Sequence, residues 1–530
     1  MAVSLYFHGA ARTVTGSCYR LVYPGGQLLV DCGLFQGTKT VRELNYGDFP
    51  FAPGDLDALL LTHAHIDHSG QVPKLCRLGY RGPIVTTEAT ADLLTYMLPD
   101  SGHIQELEVE QLNRRNDRRG RGKVQPIYTR AQAEACLAQL RPVSLDEWHD
   151  IRPGIRARFW NAGHLLGSAS IELTLDEARG GPLRLLFSGD LGPGGKRLQA
   201  DPDGPTGLDV LVCESTYGDR DRIDLDAAAR RSLLGQEVRQ ALARGGNLII
   251  PSFAVERTQE LLADLISLTA SKDLPRTDIF LDSPLAIRVT EVFEAHRSAI
   301  EEAVGEKLQF HAPNIHIIET PQQSQRLAQL KSGAIILSAS GMCDAGRIRH
   351  HLKNSLWRRA DTVLLTGYQA PGTMGRVLQD GAPSVRIFGE EIAVRAAIRT
   401  IDVYSGHADR GDLMAWLKAR GAPRCGLFLT HGEAPAVSAL REGVIGLGWK
   451  HVHMPGIDRA YALSPGRPVE PLAHQAAPRL AEAPTQDWHN LYARTLLQLS
   501  KRLAALPSDD AREKLLNALA AQMQEPTRST

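Results

Sequence analysis

Leu59-Leu60-Leu61-Thr62-His63-Ala64-His65-Ile66-Asp67-His68 is an apolar run that empties into three histidines and an aspartate within six residues. A short apolar run that stops at once on polar residues reads as a buried strand delivering a loop. The close spacing lets the imidazoles and the carboxylate fan onto two sides of that turn, where they can serve two metal ions. Nitrogen and oxygen donors without a thiolate suit a borderline cation such as zinc, in a hydrolytic site with an open position rather than a closed structural one.

Other polar residues stand in the same context. Leu28-Leu29-Val30 ends in Asp31, Leu183 to Phe187 leads to Ser188-Gly189-Asp190, and Leu427-Phe428-Leu429-Thr430 ends in His431. His164, in Asn161-Ala162-Gly163-His164-Leu165-Leu166-Gly167-Ser168, completes the set. With these residues in this order the chain resembles the metallo-β-lactamase superfamily. The resemblance implies an α/β fold, an αββα sandwich of two sheets packed face to face between helices, with a di-zinc centre at one edge.

The totals bound the answer without deciding it. A chain of 530 residues is long enough for two to four domains. Its 43% hydrophobic and 23% charged residues are ordinary for a globular protein. Sixty Lys and Arg balance sixty Asp and Glu, so a polyanion must be gripped by a local groove rather than attracted by an overall field. Seven cysteines, scattered and without a C-x-x-C pair, favour reduced thiols and a cytoplasmic protein. No basic start with an apolar core opens the chain, and no run approaches the roughly 20 apolar residues of a membrane span.

Strand-like runs alternate with amphipathic helices over most of the length, the pattern of an α/β protein. The expected division is a first domain over 1–208, an inserted domain over 209–395, the return of the first domain over 396–465 and a helical tail over 466–530. The insert is expected to open on Asp209-Val210-Leu211-Val212-Cys213 and to carry β-α units with strands at Leu248-Ile249-Ile250, Ile335-Ile336-Leu337 and Val363-Leu364-Leu365. A chain that leaves after Asp190 and returns to deliver His431 places its insert as a lid over the metal edge. The tail's helical pattern at Tyr492, Leu496, Leu499 and Leu503 serves either packing on its own chain or a homodimer contact.

Three further motifs sharpen the resemblance. Cys213-Glu214-Ser215-Thr216-Tyr217-Gly218, Ser405-Gly406-His407-Ala408-Asp409 and Thr430-His431-Gly432-Glu433 resemble motifs A, B and C of the β-CASP nucleases, over about residues 1 to 465. Pro251-Ser252-Phe253-Ala254-Val255, Ser338-Ala339-Ser340-Gly341-Met342 and Gly367-Tyr368-Gln369-Ala370-Pro371-Gly372-Thr373 add to it. That resemblance implies a zinc-dependent ribonuclease. His63, His65 and His164 hold the first zinc, Asp67, His68 and His431 the second, and Asp190 bridges. Manganese is the alternative cation. Asp31 orients the ligand imidazoles, and Asp67 counts among the catalytic residues as well as the ligands. Two close cations share a water, lower its pKa to about 7 and screen an incoming phosphate. Hydroxide attack in line then expels the 3′ oxygen, leaving a 5′ phosphate and a 3′ hydroxyl. His407 is the expected proton donor to that leaving oxygen, with Glu214 accepting from its other nitrogen.

Histidine at motif C resembles the RNA-directed branch of the group, so single-stranded RNA is the expected substrate, cut by an endonuclease rather than a 5′ exonuclease. Ser338, Ser340 and Gly341, ahead of Arg347 and Arg349, are expected to offer hydroxyls and N–H groups to a phosphate, with Arg257 and Arg376 facing the same cleft. Glu256 stands where relatives tend to carry a small residue, and a negative charge there puts the phosphate contact of Arg257 in doubt. The run Arg114-Arg115-Asn116-Asp117-Arg118-Arg119-Gly120-Arg121-Gly122-Lys123 reads as an exposed loop. Two rival readings stand beside the nuclease. A small-molecule hydrolase of the same superfamily leaves the insert and its motifs without purpose, and an inactive RNA-binding scaffold conflicts with an undepleted ligand set.

Overall fold

Strand Ala58–Leu60 is buried along its whole length between parallel neighbours Gly26–Val30 and Ile84–Thr87, which is why its sequence is a continuous apolar run rather than an alternating one. The computed structural model describes residues 3–176, 181–222, 225–369, 372–473, 477–480 and 488–524. The sheet containing Ala58–Leu60 has eight strands, in the order Glu470–Pro471, Arg459–Leu463, Val3–Phe7, Tyr19–Tyr23, Gly26–Val30, Ala58–Leu60, Ile84–Thr87 and Leu140–Val143. A second sheet has seven, ordered Val452–His453, Gly426–Leu429, Val210–Cys213, Leu183–Phe187, Ala169–Leu175, Ile155–Asn161 and Trp148–Arg152.

The inner faces of the two sheets share one core, in which Phe7 from the first meets Phe428 from the second at 4.8 Å and Tyr19 meets Phe187 at 5.8 Å. Each such side chain contributes about 1.5 to 3 kcal/mol through burial. Helix Glu88–Arg118, capped by the Thr87 hydroxyl accepting from the Thr90 N–H, covers the outer face of the first sheet with Leu93, Leu94 and Leu98. Helices Arg410–Arg420 and Ala434–Gly446 cover the second with Leu413, Trp416, Leu417, Val437 and Leu440. The result is the expected αββα sandwich.

The inserted domain is a separate parallel sheet in the order Ile315–Ile317, Asp278–Leu281, Ala334–Ser338, Leu248–Pro251, Thr362–Leu365 and Ala397–Thr400. Helices Ala227–Ala243 and Arg257–Ala270 pack on it through Leu234, Val238, Leu261 and Leu265. Strand Val210–Cys213, expected to open the insert, instead pairs in parallel with Leu183–Phe187 and Gly426–Leu429 inside the sandwich. Ala397–Thr400, expected in the returning part, is an edge strand of the insert. Glu470–Pro471 pairs with Arg459–Leu463 beyond the expected start of the tail. Val210–Cys213 changed places because a buried parallel strand carries the same kind of apolar run in either sheet, and only the crossovers assign it; the other two are short edge strands, half-exposed or exposed, with no apolar run to read.

The basic run is also corrected. Helix Glu88–Arg118 continues through Arg114 to Arg118, with Arg114 paired to Glu110 one turn earlier at 2.5 Å. Only the stretch from Arg119 is irregular, and it is exposed. In the tail, helices Trp488–Ala505 and Asp509–Gln524 follow one another, and Arg512 of the second donates to the Leu503 and Leu506 carbonyls at their junction. The seven cysteines are free and buried, and among the described residues no helix is long and apolar enough to cross a membrane.

Candidate metal centre

Every donor named in the opening motif leaves its strand at the same edge of the sandwich. His63 and His65 follow Ala58–Leu60, and His65 precedes the single turn Ile66–Ser69 that carries Asp67 and His68. His164 comes from the loop between Ile155–Asn161 and Ala169–Leu175, Asp190 follows Leu183–Phe187, and His431 follows Gly426–Leu429. Two of these side chains are aimed by unusual backbone, since Asp31 and His431 take φ of +60° and +47°. Left-handed backbone on residues other than glycine marks places where the surroundings hold the chain against its preference.

The donors fall into two sets. Ligand atoms of His63, His65, His164 and Asp190 lie within 4.8 Å of one another, and so do those of Asp67, His68 and His431. Asp190 faces both. One of its oxygens is 3.5 Å from His63 Nε2 and 3.6 Å from His164 Nε2, and the other is 3.2 Å from His68 Nε2 and 3.4 Å from His431 Nδ1. His164 Nε2 and His65 Nδ1 stand 3.1 Å apart, and His68 Nε2 and His431 Nε2 stand 3.2 Å apart. His63 Nε2 and Asp190 Oδ1 are buried with no hydrogen-bond partner. Imidazole nitrogens that face one another with too few hydroxyl or carbonyl partners to satisfy them all, around a carboxylate with His63 Nε2 left unpartnered, fit divalent cations better than a closed hydrogen-bond network.

The electrostatics agree. Burial holds the imidazoles of His63 and His164 well below their ordinary value and brings His65 down to about 4, leaving all three neutral, the form that ligates. For His68 burial works the same way, but the Asp190 and Asp31 carboxylates override it and raise the imidazole well above its usual range. Burial opposes the charge on Asp190 as well, and the imidazoles of His431, His68 and His407 overcome it, holding the carboxyl well below the ordinary range. A cation held by the second set would require His68 to give up that proton.

Partners outside the donor sets fix the rings. Asp31 accepts from the Thr62 N–H at 2.8 Å and pairs with His68 Nδ1 at 2.7 Å, so it directs His68 Nε2 inward. Thr62 Oγ1 meets His63 Nδ1 at 3.0 Å, Thr216 Oγ1 meets His431 Nδ1 at 3.0 Å, and the Gly406 carbonyl accepts from His164 Nδ1 at 2.8 Å. Sequence reading missed Thr62, Thr216 and Gly406 in these roles. For Thr62 the signal was its place immediately before a histidine. For the other two there was none, because each acts on a ring more than 200 residues away.

Beside Asp190 stands a third group. His407 Nδ1 is 3.3 Å from Glu214 Oε1 and 3.9 Å from Asp190 Oδ2, and its ring is partly exposed. Burial disfavours the imidazolium, while Glu214 and Asp190 favour it and prevail, so His407 is raised above its ordinary value. Glu214 is fully buried at the end of Val210–Cys213 and also accepts from the Leu191 and Thr216 N–H groups. Capping the turn and holding His407 are thus one role, and the capping bonds keep the carboxylate in place for the imidazole.

The expected phosphate contacts are less uniform. Ser338 closes strand Ala334–Ser338 with its hydroxyl donating inward to the Asp282 carbonyl, so it is committed to the fold. Ser340 is half-buried, and Gly341 packs so closely under the Phe253 ring that a Cβ would lie 2.8 Å from it. Arg257 donates to the Tyr404 carbonyl and stacks on Phe253 at 4.9 Å. Arg376 is paired with Asp380 one turn on, at 2.9 and 3.0 Å. Arg347 is consumed by Asp282 and the Ile318 and Glu319 carbonyls, and Arg349 lies over Phe388. Ala370 and Pro371 of the third glycine-rich turn lie outside the described residues.

Family models match the chain in three places: a metallo-beta-lactamase superfamily model over residues 11–229, a Beta-Casp domain over 258–378 and a Zn-dependent metallo-hydrolase RNA specificity domain over 391–455. The ribonuclease TTHA0252 of Thermus thermophilus is 38% identical over 438 residues, 82% of this chain and 94% of that protein. The chain belongs to the β-CASP family of the metallo-β-lactamase superfamily. An RNase J-like protein of Methanocaldococcus jannaschii is 30% identical, covering 81% of this chain and 93% of its own. Transcription termination factor FttA of Pyrococcus abyssi is 32% identical over 80% of this chain, which spans only 66% of that longer protein. The same fold, at 14% identity and a TM-score of 0.51, occurs in an Enterococcus faecalis protein of unknown function, matching 87% of this β-CASP chain and all of the other.

Proposed function

We propose that this β-CASP protein is a zinc-dependent ribonuclease that hydrolyses single-stranded RNA to 5′-phosphate and 3′-hydroxyl ends. The observation that carries the reading is the position of Asp190 between two complete donor sets, with the His407 and Glu214 pair against its flank. The names of two relatives, a ribonuclease and an RNase J-like protein, support RNA as the substrate.

In this reading His63, His65 and His164 hold one cation and Asp67, His68 and His431 the other, with Asp190 between them. When bound, the pair supplies a water that is nucleophilic near neutral pH and screens the charge of the scissile phosphate. The chain's own groups do the rest. Asp31 and the two threonines hold the ligand rings at fixed angles. His407, kept protonated by Glu214 and Asp190, gives its Nε2 proton to the departing 3′ oxygen, and Glu214 stabilises the imidazolium through Nδ1. With the insert lying over the donor sets we read the substrate as unpaired RNA rather than duplex, and the enzyme as an endonuclease.

RNA labelled at either end tests this. Internal cuts that stop on chelation and return with zinc are expected, release of the 5′ nucleotide alone would reassign it as an exonuclease, and intact RNA with metal-loaded protein overturns the reading. Asp67→Ala should retain one of two metal equivalents by elemental analysis, because Asp67 serves only the second set; a variant that keeps both at full rate refutes that assignment.

A further inference from the structure

Glu256, singled out by its charge next to Arg257, does something else in the fold. It precedes helix Arg257–Ala270 with φ of +67°, a left-handed conformation that suits glycine and disfavours a side-chain-bearing residue, and its carboxylate does not cap the helix. The side chain turns out of the inserted domain and into the sandwich, where it is buried. One oxygen accepts from the Leu166 N–H at 3.3 Å and from Gln199 Nε2 at 3.1 Å, and the other lies 3.6 Å from Lys196 Nζ. Lys196, itself buried, donates to the His164 carbonyl at 2.9 Å.

A carboxylate of the insert thus holds both ends of the His164 to Leu166 turn, the Leu166 N–H directly and the His164 carbonyl through Lys196. The neighbouring Arg197 runs the opposite way, from the sandwich to Asp264 and Ser267 of the same helix at 3.0 and 2.9 Å. Behind the turn, Gly192 packs so tightly on Gly163 that a Cβ would lie 1.7 Å from the Gly163 carbonyl oxygen. Burial pushes the Glu256 carboxyl up to about 7 against the pull of Lys196, and in either protonation state an oxygen remains to accept from Leu166. Strained backbone is retained where the surrounding contacts over-determine it.

We propose that Glu256 and Lys196 are positioning residues, a buried latch through which the inserted domain holds the His164 turn and with it the first donor set. The inference rests on the reading of His164 as a ligand. It follows that swinging the insert away and keeping that donor set intact exclude one another, so the closed cleft is the working state.

The test uses the full chain with Glu256→Gly, Glu256→Gln and Lys196→Met, and two readouts that do not involve RNA. Hydrogen exchange on metal-depleted protein should show peptides over 163–168 exchanging at least about tenfold faster in Glu256→Gly and Lys196→Met, with peptides over 63–68 unchanged. Glu256→Gln, whose amide oxygen still accepts from Leu166, should show a smaller rise. During titration with a chelator the first two variants should lose one metal equivalent well before wild type does, and adding Asp67→Ala should remove the other. Wild-type exchange at 163–168 in a folded variant overturns the latch. Should Glu256→Gly fail to fold, Lys196→Met leaves the insert's backbone untouched and is decided by the same measurements. A protein that holds no metal refutes the proposed function, while exchange in the metal-depleted state still decides the latch.

Discussion

Asp190→Asn is expected to leave a folded protein that holds neither cation and does not cut RNA. The amide matches the carboxylate in shape, so the sandwich loses no volume, but one of its two oxygens becomes a nitrogen that cannot ligate. Both donor sets depend on that residue, which faces His63 and His164 with one oxygen and His68 and His431 with the other. Losing the pair removes water activation and charge screening together. If each contributes about 10² to 10³, the usual size of one preorganised electrostatic contact, activity should fall by at least on the order of 10⁴-fold. Elemental analysis should find no stoichiometric metal, in contrast to the single equivalent left by Asp67→Ala. A variant that retains one equivalent shows that Asp190 belongs to one set only.

The metal-depleted protein offers a second check, with a definite sign. His68 is raised above its ordinary value by Asp190 and Asp31 against burial. A histidine raised on folding contributes stability that is fully present below its unfolded value of about 6.5 and is lost as pH rises through the folded value. Asp190→Asn removes one of the two carboxylates, so in thermal melts of metal-free protein this alkaline loss should be smaller and should be complete at lower pH than in wild type. An unchanged pH profile would mean that Asp31 alone holds the imidazolium.

What could be read in the sequence and what could not have different physical origins. His63, His65, Asp67, His68, Asp190 and His431 announced themselves because each follows an apolar run, and strands of both sheets deliver their C-terminal ends to one edge of the sandwich. Glu214 was legible for the same reason. The groups that aim these side chains were not, since Thr216 and Gly406 act through bonds to His431 and His164 that only the finished topology makes. Strand Val210–Cys213 was placed in the wrong domain for a related reason: a run such as Val-Leu-Val-Cys fits any buried parallel position, and its partner Gly426–Leu429 comes from the far side of the insert, while the half-exposed edge strand Ala397–Thr400 carries too weak a pattern to assign. Arginines near a glycine-rich turn, by contrast, looked free in the sequence and are spoken for in the fold, Arg347 by Asp282 and Arg376 by Asp380. Charge in a sequence is a count of groups, and a phosphate meets only those left over after internal pairing. Glu256 is the opposite case, a charge that seemed misplaced beside Arg257 and that finds its partners across the domain boundary.

His407→Ala should separate proton transfer from everything else the centre does. The imidazole belongs to neither donor set in our assignment, so the variant should keep two metal equivalents and wild-type affinity for single-stranded RNA. Only the chemical step should slow, by roughly 10²- to 10⁴-fold, the range for a lost general acid. Glu214→Gln should slow it less, because the histidine remains and loses one of the two carboxylates that keep it protonated. It should also shift the alkaline limb of the rate profile to lower pH, since a raised imidazole that loses an anionic neighbour gives up its proton sooner. Leu191 and Thr216 donate to different Glu214 oxygens, so the amide keeps only one of these two bonds, and a thermal melt of the variant should accompany the rate measurement. A substrate with sulfur in place of the scissile 3′ oxygen discriminates further, because a thiolate departs without a proton. On that substrate His407→Ala should recover most of the wild-type rate. Equal losses on the oxygen and sulfur substrates, or loss of metal along with activity, would make His407 a structural residue and leave the leaving group to be protonated by solvent.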